Sequence, residues 1–252
     1  MSTKIEELGF ADTAIGEVTL RRRYDLVTQR DVFEVKLNDE WLMSSQFTAA
    51  EIELARLGLA RLAANAANAA NASSADADRG WDVAVGGLGL GYTAVAALED
   101  DRVRSLVVVE LVAPLITWHE QGLVPASPAL TGDERCRFQL GDFFAMSYGE
   151  GYDASAPGRL FDAVLLDIDH SPTHLLADGG EGFYGVAGMS AVAAQLRAGG
   201  VYAMWSNDPP EAEYMAILGQ VFTDVEAEVI TFDNPLQGRD ATATVYVATK
   251  HP

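Results

Sequence analysis

A chain of 252 residues, 49% of them hydrophobic, is long enough to bury a full core. Its 37 acidic and 17 basic residues give a net charge of −20, a field that repels phosphate backbones and anionic lipid and attracts cations, so neither nucleic acid nor a membrane surface is the expected partner. No run reaches the roughly 18 uninterrupted apolar residues of a membrane span, the opening MSTKIEELGF has neither the basic nor the apolar region of a leader, and the lone Cys136 leaves no partner for an internal disulfide; a cytoplasmic location is expected.

Residues 1–47 alternate in the manner of strands, in EVTLRRRYDLV and then DVFEVKLNDEWLMSS, where LNDEW supplies a turn; they are expected to form a small N-terminal β unit. From Thr48 the spacing of Ile52, Leu54, Leu57, Leu59 and Leu62 predicts a helix, with Thr48 and Glu51 in the pattern of a capping box. Its tail repeats Ala-Ala-Asn and breaks into ASSADADRG, so residues 48–79 read as helix and connector.

Beyond that boundary, residues 80–252 alternate short apolar runs with helical patterns, the signature of a parallel sheet wrapped by helices. Strands are expected at WDVAVG, SLVVVEL, CRFQL, FDAVLLDI, GGVYAMWS, AEVITF and ATVYVAT. The last two are joined without room for a helix and should form an antiparallel hairpin at one sheet edge. The expected class is α/β: a Rossmann-like, mostly parallel seven-stranded sheet with an antiparallel last strand, the arrangement of the class I methyltransferase fold.

The first of these strands runs into GGLGLGYTAVAAL, so Gly87, Gly89 and Gly91 open a helix where backbone can approach a ligand closely. Glu110 ends the next strand, nineteen residues past Gly91, where a carboxylate can accept hydrogen bonds from ribose hydroxyls. Asp142 and Phe143 follow the third, in LGDFF; Asp142 could accept from an adenine amine, cap the following helix, or both. The three positions together describe an adenosine site, with an S-adenosylmethionine (AdoMet) type ligand favoured over NAD.

The fourth strand ends in DIDHSPTH. Asp167 falls where that strand emerges, placed to bind a cationic amine and take its proton, with Asp169 and His170 on the following loop to assist. Asp167, Asp169, His170 and His174 could also be read as a metal set, but the nucleoside site accounts for the acids without one, so no metal is expected. Flexible glycines around Leu175, Leu176, Phe183 and Tyr184 fit either a lid or an ordinary loop. WSNDPPEAEY adds Trp205, Asp208 and Glu211 near the same end of the sheet, either as a cation-binding group or as an Asp cap before a helix.

These segments resemble the spermidine synthase, or polyamine aminopropyltransferase, family: LNDEWLMSS, GGLGLG, VVVEL, LGDFF, FDAVLLDIDHSP, RAGGVYA and the TFDNPLQGRDATATVYVATK ending. The resemblance implies transfer of an aminopropyl group from decarboxylated AdoMet, a co-substrate rather than a permanent cofactor, to a small cationic amine. It implies Glu110 on ribose, Asp142 on adenine and Asp167 as base and amine anchor, in a homodimer formed through the N-terminal unit. Leu90 stands where that family keeps an acid, and His170 where it keeps a second one. An AdoMet-dependent methyltransferase and a noncatalytic nucleoside-binding homologue are the alternatives.

Overall fold

The computed structural model describes residues 5–38, 40–70, 79–168, 171–173 and 182–251. Ile5–Thr13 (β1), Gly16–Asp25 (β2), Arg30–Leu37 (β3) and Glu40–Ser44 (β4) form an antiparallel sheet in sequence order. Its inner face carries Val18, Leu20 and Val35, which pack with Leu90, Leu115, Trp118 and Val124 of the larger unit. Strand β1 was not separately expected, because its side chains are exposed or half-buried and show no clean alternation. Its place is set at Gly9, where the register shifts and where a Cβ would collide with the Trp118 indole.

Ala49–Ala70 is a single long helix (α1) whose Leu54, Ala55, Leu59 and Leu62 are buried. It lies across one face of a seven-stranded sheet formed by Trp81–Gly86 (β5), Val103–Glu110 (β6), Cys136–Leu140 (β7), Phe161–Leu166 (β8), Leu196–Ser206 (β9), Phe222–Asn234 (β10) and Arg239–Lys250 (β11). The strand order is β10-β11-β9-β8-β5-β6-β7, and β11 runs antiparallel to both of its neighbours. The central strands β5 and β8 are buried almost end to end, as strands covered on both faces must be. Tyr92–Leu98 (α2) shares the α1 face, while Phe143–Tyr148 (α5), Val186–Ala194 (α6) and Ala212–Val221 (α7) cover the other. Ala113–Glu120 (α3) and Ser127–Thr131 (α4) follow β6.

Two strands start earlier than their apolar runs suggest. Strand β9 begins at Leu196, three residues before the expected GGVYAMWS, and β10 begins at Phe222 directly after α7. Leu196 and Phe222 are themselves buried, but exposed or half-buried residues follow each, so no continuous apolar run marks where the strand starts. No helix among the described residues is long and apolar enough to cross a membrane.

The end of the sheet at which β5 and β8 begin is held by charge. Asp82 is buried and accepts from Arg104 at 2.9 and 2.7 Å, from Arg159 at 2.9 Å and from Arg197 at 3.0 Å. Asp162 accepts from Arg79 at 2.5 Å, Arg197 at 3.0 Å and the Asp82 amide at 2.8 Å. Burial alone would raise the Asp82 carboxyl, but the Arg104 and Arg159 guanidinium groups hold it down to about 2.

Candidate active site

The glycine turn between β5 and α2 is built from glycines for a steric reason visible at Gly87. Its φ is 93°, and a Cβ there would run into the backbone carbonyl of Asp167. The strand-end acid of β8 can therefore approach the turn, and the Asp167 amide donates to the Gly86 carbonyl at 2.7 Å. Gly89 and Gly91 also lie at positive φ, at 45° and 88°.

Each amide from Gly87 to Gly91 has a partner inside the protein. Gly87 donates to the Val109 carbonyl at 2.9 Å and Gly91 to the Leu88 carbonyl at 2.7 Å. Leu88 and Gly89 donate to Glu110 Oε2 at 2.9 and 3.4 Å, and Leu90 donates to Met43 Sδ at 2.8 Å. From behind, buried His119 donates Nε2–H to the Gly89 carbonyl at 2.9 Å, while Ser127 Oγ lies 3.5 Å from its Nδ1. Burial pushes the His119 imidazole below its ordinary range, and the Gly89 carbonyl partly opposes the shift. A phosphate-binding turn presents free amides to its ligand. This one spends them internally, which suits a nucleoside without phosphate and disfavours NAD.

Glu110 and Asp142 stand at the ends of β6 and β7, as expected from the sequence. Glu110 is buried, with Oε1 accepting from the Val112 amide at 2.8 Å in addition to the turn amides on Oε2. Burial raises its carboxyl and the backbone donors counter that effect. Asp142 is the N-cap of α5, its Oδ1 accepting from Phe144 and Ala145 at 2.9 and 3.2 Å. Phe143 is buried and stacks on Tyr152, with centroids 4.4 Å apart. Gly87, Gly89, Glu110, Asp142 and Phe143 all line one cleft of about 1200 Å³ between the sheet's carboxyl edge and the N-terminal β sheet. Gly91 lies behind it, against Leu130 and His119.

Asp167 lines the same cleft, and Glu51 from the first turn of α1 joins it there. Burial raises the proton affinity of the Glu51 carboxyl, and the charge of Asp167 raises it further. Burial raises the Asp167 carboxyl too, while hydrogen bonds from Thr93 and Trp205 pull it partly back. Thr93 Oγ1 lies 2.6 Å from Asp167 Oδ2 and 3.2 Å from the Glu51 carbonyl. Its single hydrogen goes to Asp167 when that group is ionised. When Asp167 is protonated, its O–H can donate to Thr93 Oγ1 and the threonine hydrogen can turn to the Glu51 carbonyl, so both protonation states are satisfied.

Among the described residues lining the cleft, the carboxylates are Glu34, Glu51, Glu110, Asp142 and Asp167, and the one basic residue is Arg23. Arg23 is already committed to Glu34 at 2.7 Å, Asp25 at 2.6 Å and Gln46 at 2.8 Å. The field inside the cleft thus favours a cation over an anion.

Solved structures of the same architecture were found at low sequence identity. The spermidine synthase from Thermotoga maritima matches with a TM-score of 0.68 and 15% identity, covering 97% of this chain and 72% of that one. A spermidine synthase in complex with the transition state analogue AdoDATO gives 0.67 and 14%, again over 97% and 72%. The fold is spermidine synthase-like. Human methyltransferase-like protein 13, in complex with SAH, shares its methyltransferase core, with a TM-score of 0.54 and 16% identity over 81% of this chain and 83% of that one. No family model and no curated protein matches the sequence.

Within this spermidine synthase-like fold, other expected residues fall differently. Asp169, His170 and His174, together with Leu175 and Leu176, lie outside the described residues. Phe183 and Tyr184 are buried, Phe183 stacking on Phe144 with centroids 4.1 Å apart. Trp205 lines the cleft; Asp208 and Glu211 do not. Nor is Asp208 a helix cap, since Pro209 and Pro210 intervene and α7 starts after Glu211. Leu90 is fully buried between the glycine turn and the N-terminal sheet. Cys136 is a half-buried strand residue whose thiol burial pushes up to about 12, which disqualifies it as a nucleophile.

Four contributors were missed: Glu51, Thr93, Met43 and Arg23. The capping-box pattern assigned Glu51 a local role, yet its carboxylate serves the cleft; the only signal was an acid in the first turn of a helix that packs across the sheet. Thr93 lies two residues past the last glycine, on the one polar position of an otherwise apolar helix start.

Proposed function

We propose that the protein transfers an alkyl group from an AdoMet-type sulfonium nucleoside to an amine, with decarboxylated AdoMet as the donor. The observation that carries this reading is the pairing of Glu51 and Asp167 beside a glycine turn whose own amides are all occupied. The turn, Glu110 and Asp142 would hold the adenosine. Asp167 would anchor the incoming ammonium and accept its proton, which frees the nitrogen lone pair. That lone pair attacks the carbon bonded to the sulfonium sulfur, the new C–N bond forms as the C–S bond breaks, and the bond's electron pair returns to sulfur. The products are the alkylated amine, a proton on the carboxylate pair and a neutral thioether nucleoside. Holding the two reactants in line supplies most of the acceleration.

Buried Leu90 favours a second reading, methyl transfer from intact AdoMet, because no acid at that position holds a donor amine. The surplus of carboxylates in the cleft argues the other way, since intact AdoMet brings a carboxylate of its own. Calorimetry with AdoMet, decarboxylated AdoMet and methylthioadenosine separates the two. The proposal expects the decarboxylated form and methylthioadenosine to bind more tightly than AdoMet. Binding of none of the three would overturn the nucleoside assignment.

A further inference from the structure

The cleft has a second wall beyond the carboxylate pair, and its chemistry bears on the acceptor. Trp205, the penultimate residue of β9, hydrogen-bonds Asp167 and pairs across the sheet with Val245 of β11. Two residues along β11, on the same face as Val245, stand Ala243 and then Ala241, the latter paired with Phe232 of β10. Phe47, in the segment leading into α1, faces Phe232 with ring centroids 5.7 Å apart and planes tilted by 38°. Phe47, Trp205, Phe232, Ala241 and Ala243 all line the cleft. The result is a continuous apolar and aromatic surface that starts at the carboxylates and leads away from them.

The same hairpin carries acids, but none of them lines the cleft: Glu226 and Glu228 share the Val245 face yet are exposed outside it, Glu226 paired with Arg61 of α1. Asp233 pairs with Asp240, one residue off the Phe232–Ala241 pair, so their side chains lie on the opposite face, where both are exposed. What the hairpin offers the cleft besides apolar groups is neutral: Thr242 and the carboxamides of Asn234 and Gln237. Among the described residues lining the cleft, the end at Glu51 and Asp167 is anionic and the β10–β11 wall carries no charge, while Arg23 and Glu34 of the N-terminal sheet are paired with each other.

We propose that the acceptor is a primary amine carried on an apolar or aromatic body, a monocation rather than an α,ω-diamine. The inference rests on the amine-transfer reading above and names its substrate class. An ammonium at Glu51 and Asp167 leaves the rest of the molecule against Trp205, Phe232 and Phe47, where an aromatic ring gains edge and face contacts. A second ammonium placed there would lose its water without meeting a counter-charge among the described residues of that wall.

The test is calorimetric titration of the full chain, saturated with methylthioadenosine, using phenethylamine and putrescine as probes. Phenethylamine is expected to bind roughly tenfold or more tightly than putrescine. Phe232→Ala should erase most of that preference, and Phe232→Glu, which places a carboxylate on the neutral wall, should move it toward putrescine. Methylthioadenosine binding by each variant reports that the protein is folded around the nucleoside side. Putrescine binding as tightly as phenethylamine or more so, or a preference untouched by Phe232→Ala, overturns the inference while leaving amine transfer standing. A protein that binds methylthioadenosine but neither amine overturns both.

Discussion

Thr93 and Asp167 are joined by a 2.6 Å hydrogen bond across 74 residues of sequence, linking the first turn of a helix to the end of a strand. The bond stabilises the ionised form of Asp167 and so opposes the effect of burial. Thr93→Val should therefore move the acid limb of a pH–rate profile for amine alkylation to higher pH. Turnover at neutral pH should fall about tenfold, because less of the base is ionised. An unmoved limb would remove Thr93 from its positioning role.

Asp167→Asn should leave methylthioadenosine affinity within about twofold of the native value, while amine transfer falls by about 100-fold or more. Calorimetry and a turnover assay on the same preparation check the two halves. Retained turnover would take the proton-accepting role away from Asp167.

The Glu51 carboxyl is raised by burial and by the charge of Asp167, which fixes the sign of a stability effect. A carboxyl whose folded value lies above its unfolded one contributes stability fully present below the unfolded value and lost as pH rises through the folded value. The native protein should thus lose thermal stability as pH climbs out of the ordinary carboxylate range, and Glu51→Gln should flatten that decline. Melting curves across pH provide the comparison; identical slopes would mean that the Glu51 carboxyl is not raised in the folded protein.

The glycine turn is held from two sides, by Glu110 on its amides and by His119 on the Gly89 carbonyl. Glu110→Ala should abolish nucleoside binding. His119→Leu should weaken it about tenfold, with His119→Gln, which restores a side-chain N–H, recovering part of the loss. If both His119 variants lose only melting temperature and keep native affinity, the histidine is a packing residue.

At the far end of the sheet, Asp82→Asn leaves Arg104, Arg159 and Arg197 without their shared anion and should cost about 3 kcal/mol in denaturant unfolding. Because the native Asp82 carboxyl is held down to about 2, its contribution is present above the unfolded carboxylate value and disappears as pH falls toward that lower one. The variant should lose stability at neutral pH and converge with the native protein in strong acid.

The sheet and its strand-end acids were legible because each buried strand is an apolar run that stops at the crevice. Asp167, Glu110 and Asp142 each mark such a stop. What could not be read was anything whose role depends on a distant element. Glu51 sits in a pattern that local helix chemistry already explains, and Met43 is one apolar strand residue among several until β4 is seen against the glycine turn. Strand β1 escaped because a strand with one weakly covered face has no sharp alternation to report. Leu90, legible as a missing acid, gains a positive reason only from the fold: it is core between two sheets, and a carboxylate there would be buried without a partner.

Inside a cell the most abundant adenine compounds carry phosphates, and any protein with an adenosine site must discriminate against them. For the adenosine site proposed above, the main chain would supply that discrimination. With every amide from Gly87 to Gly91 already donating within the protein, a triphosphate or pyrophosphate arriving at the turn finds no donor to replace its water and meets carboxylates on the walls around it. ATP and dinucleotides at millimolar excess should therefore compete poorly for the cleft, without any side chain assigned to keep them out.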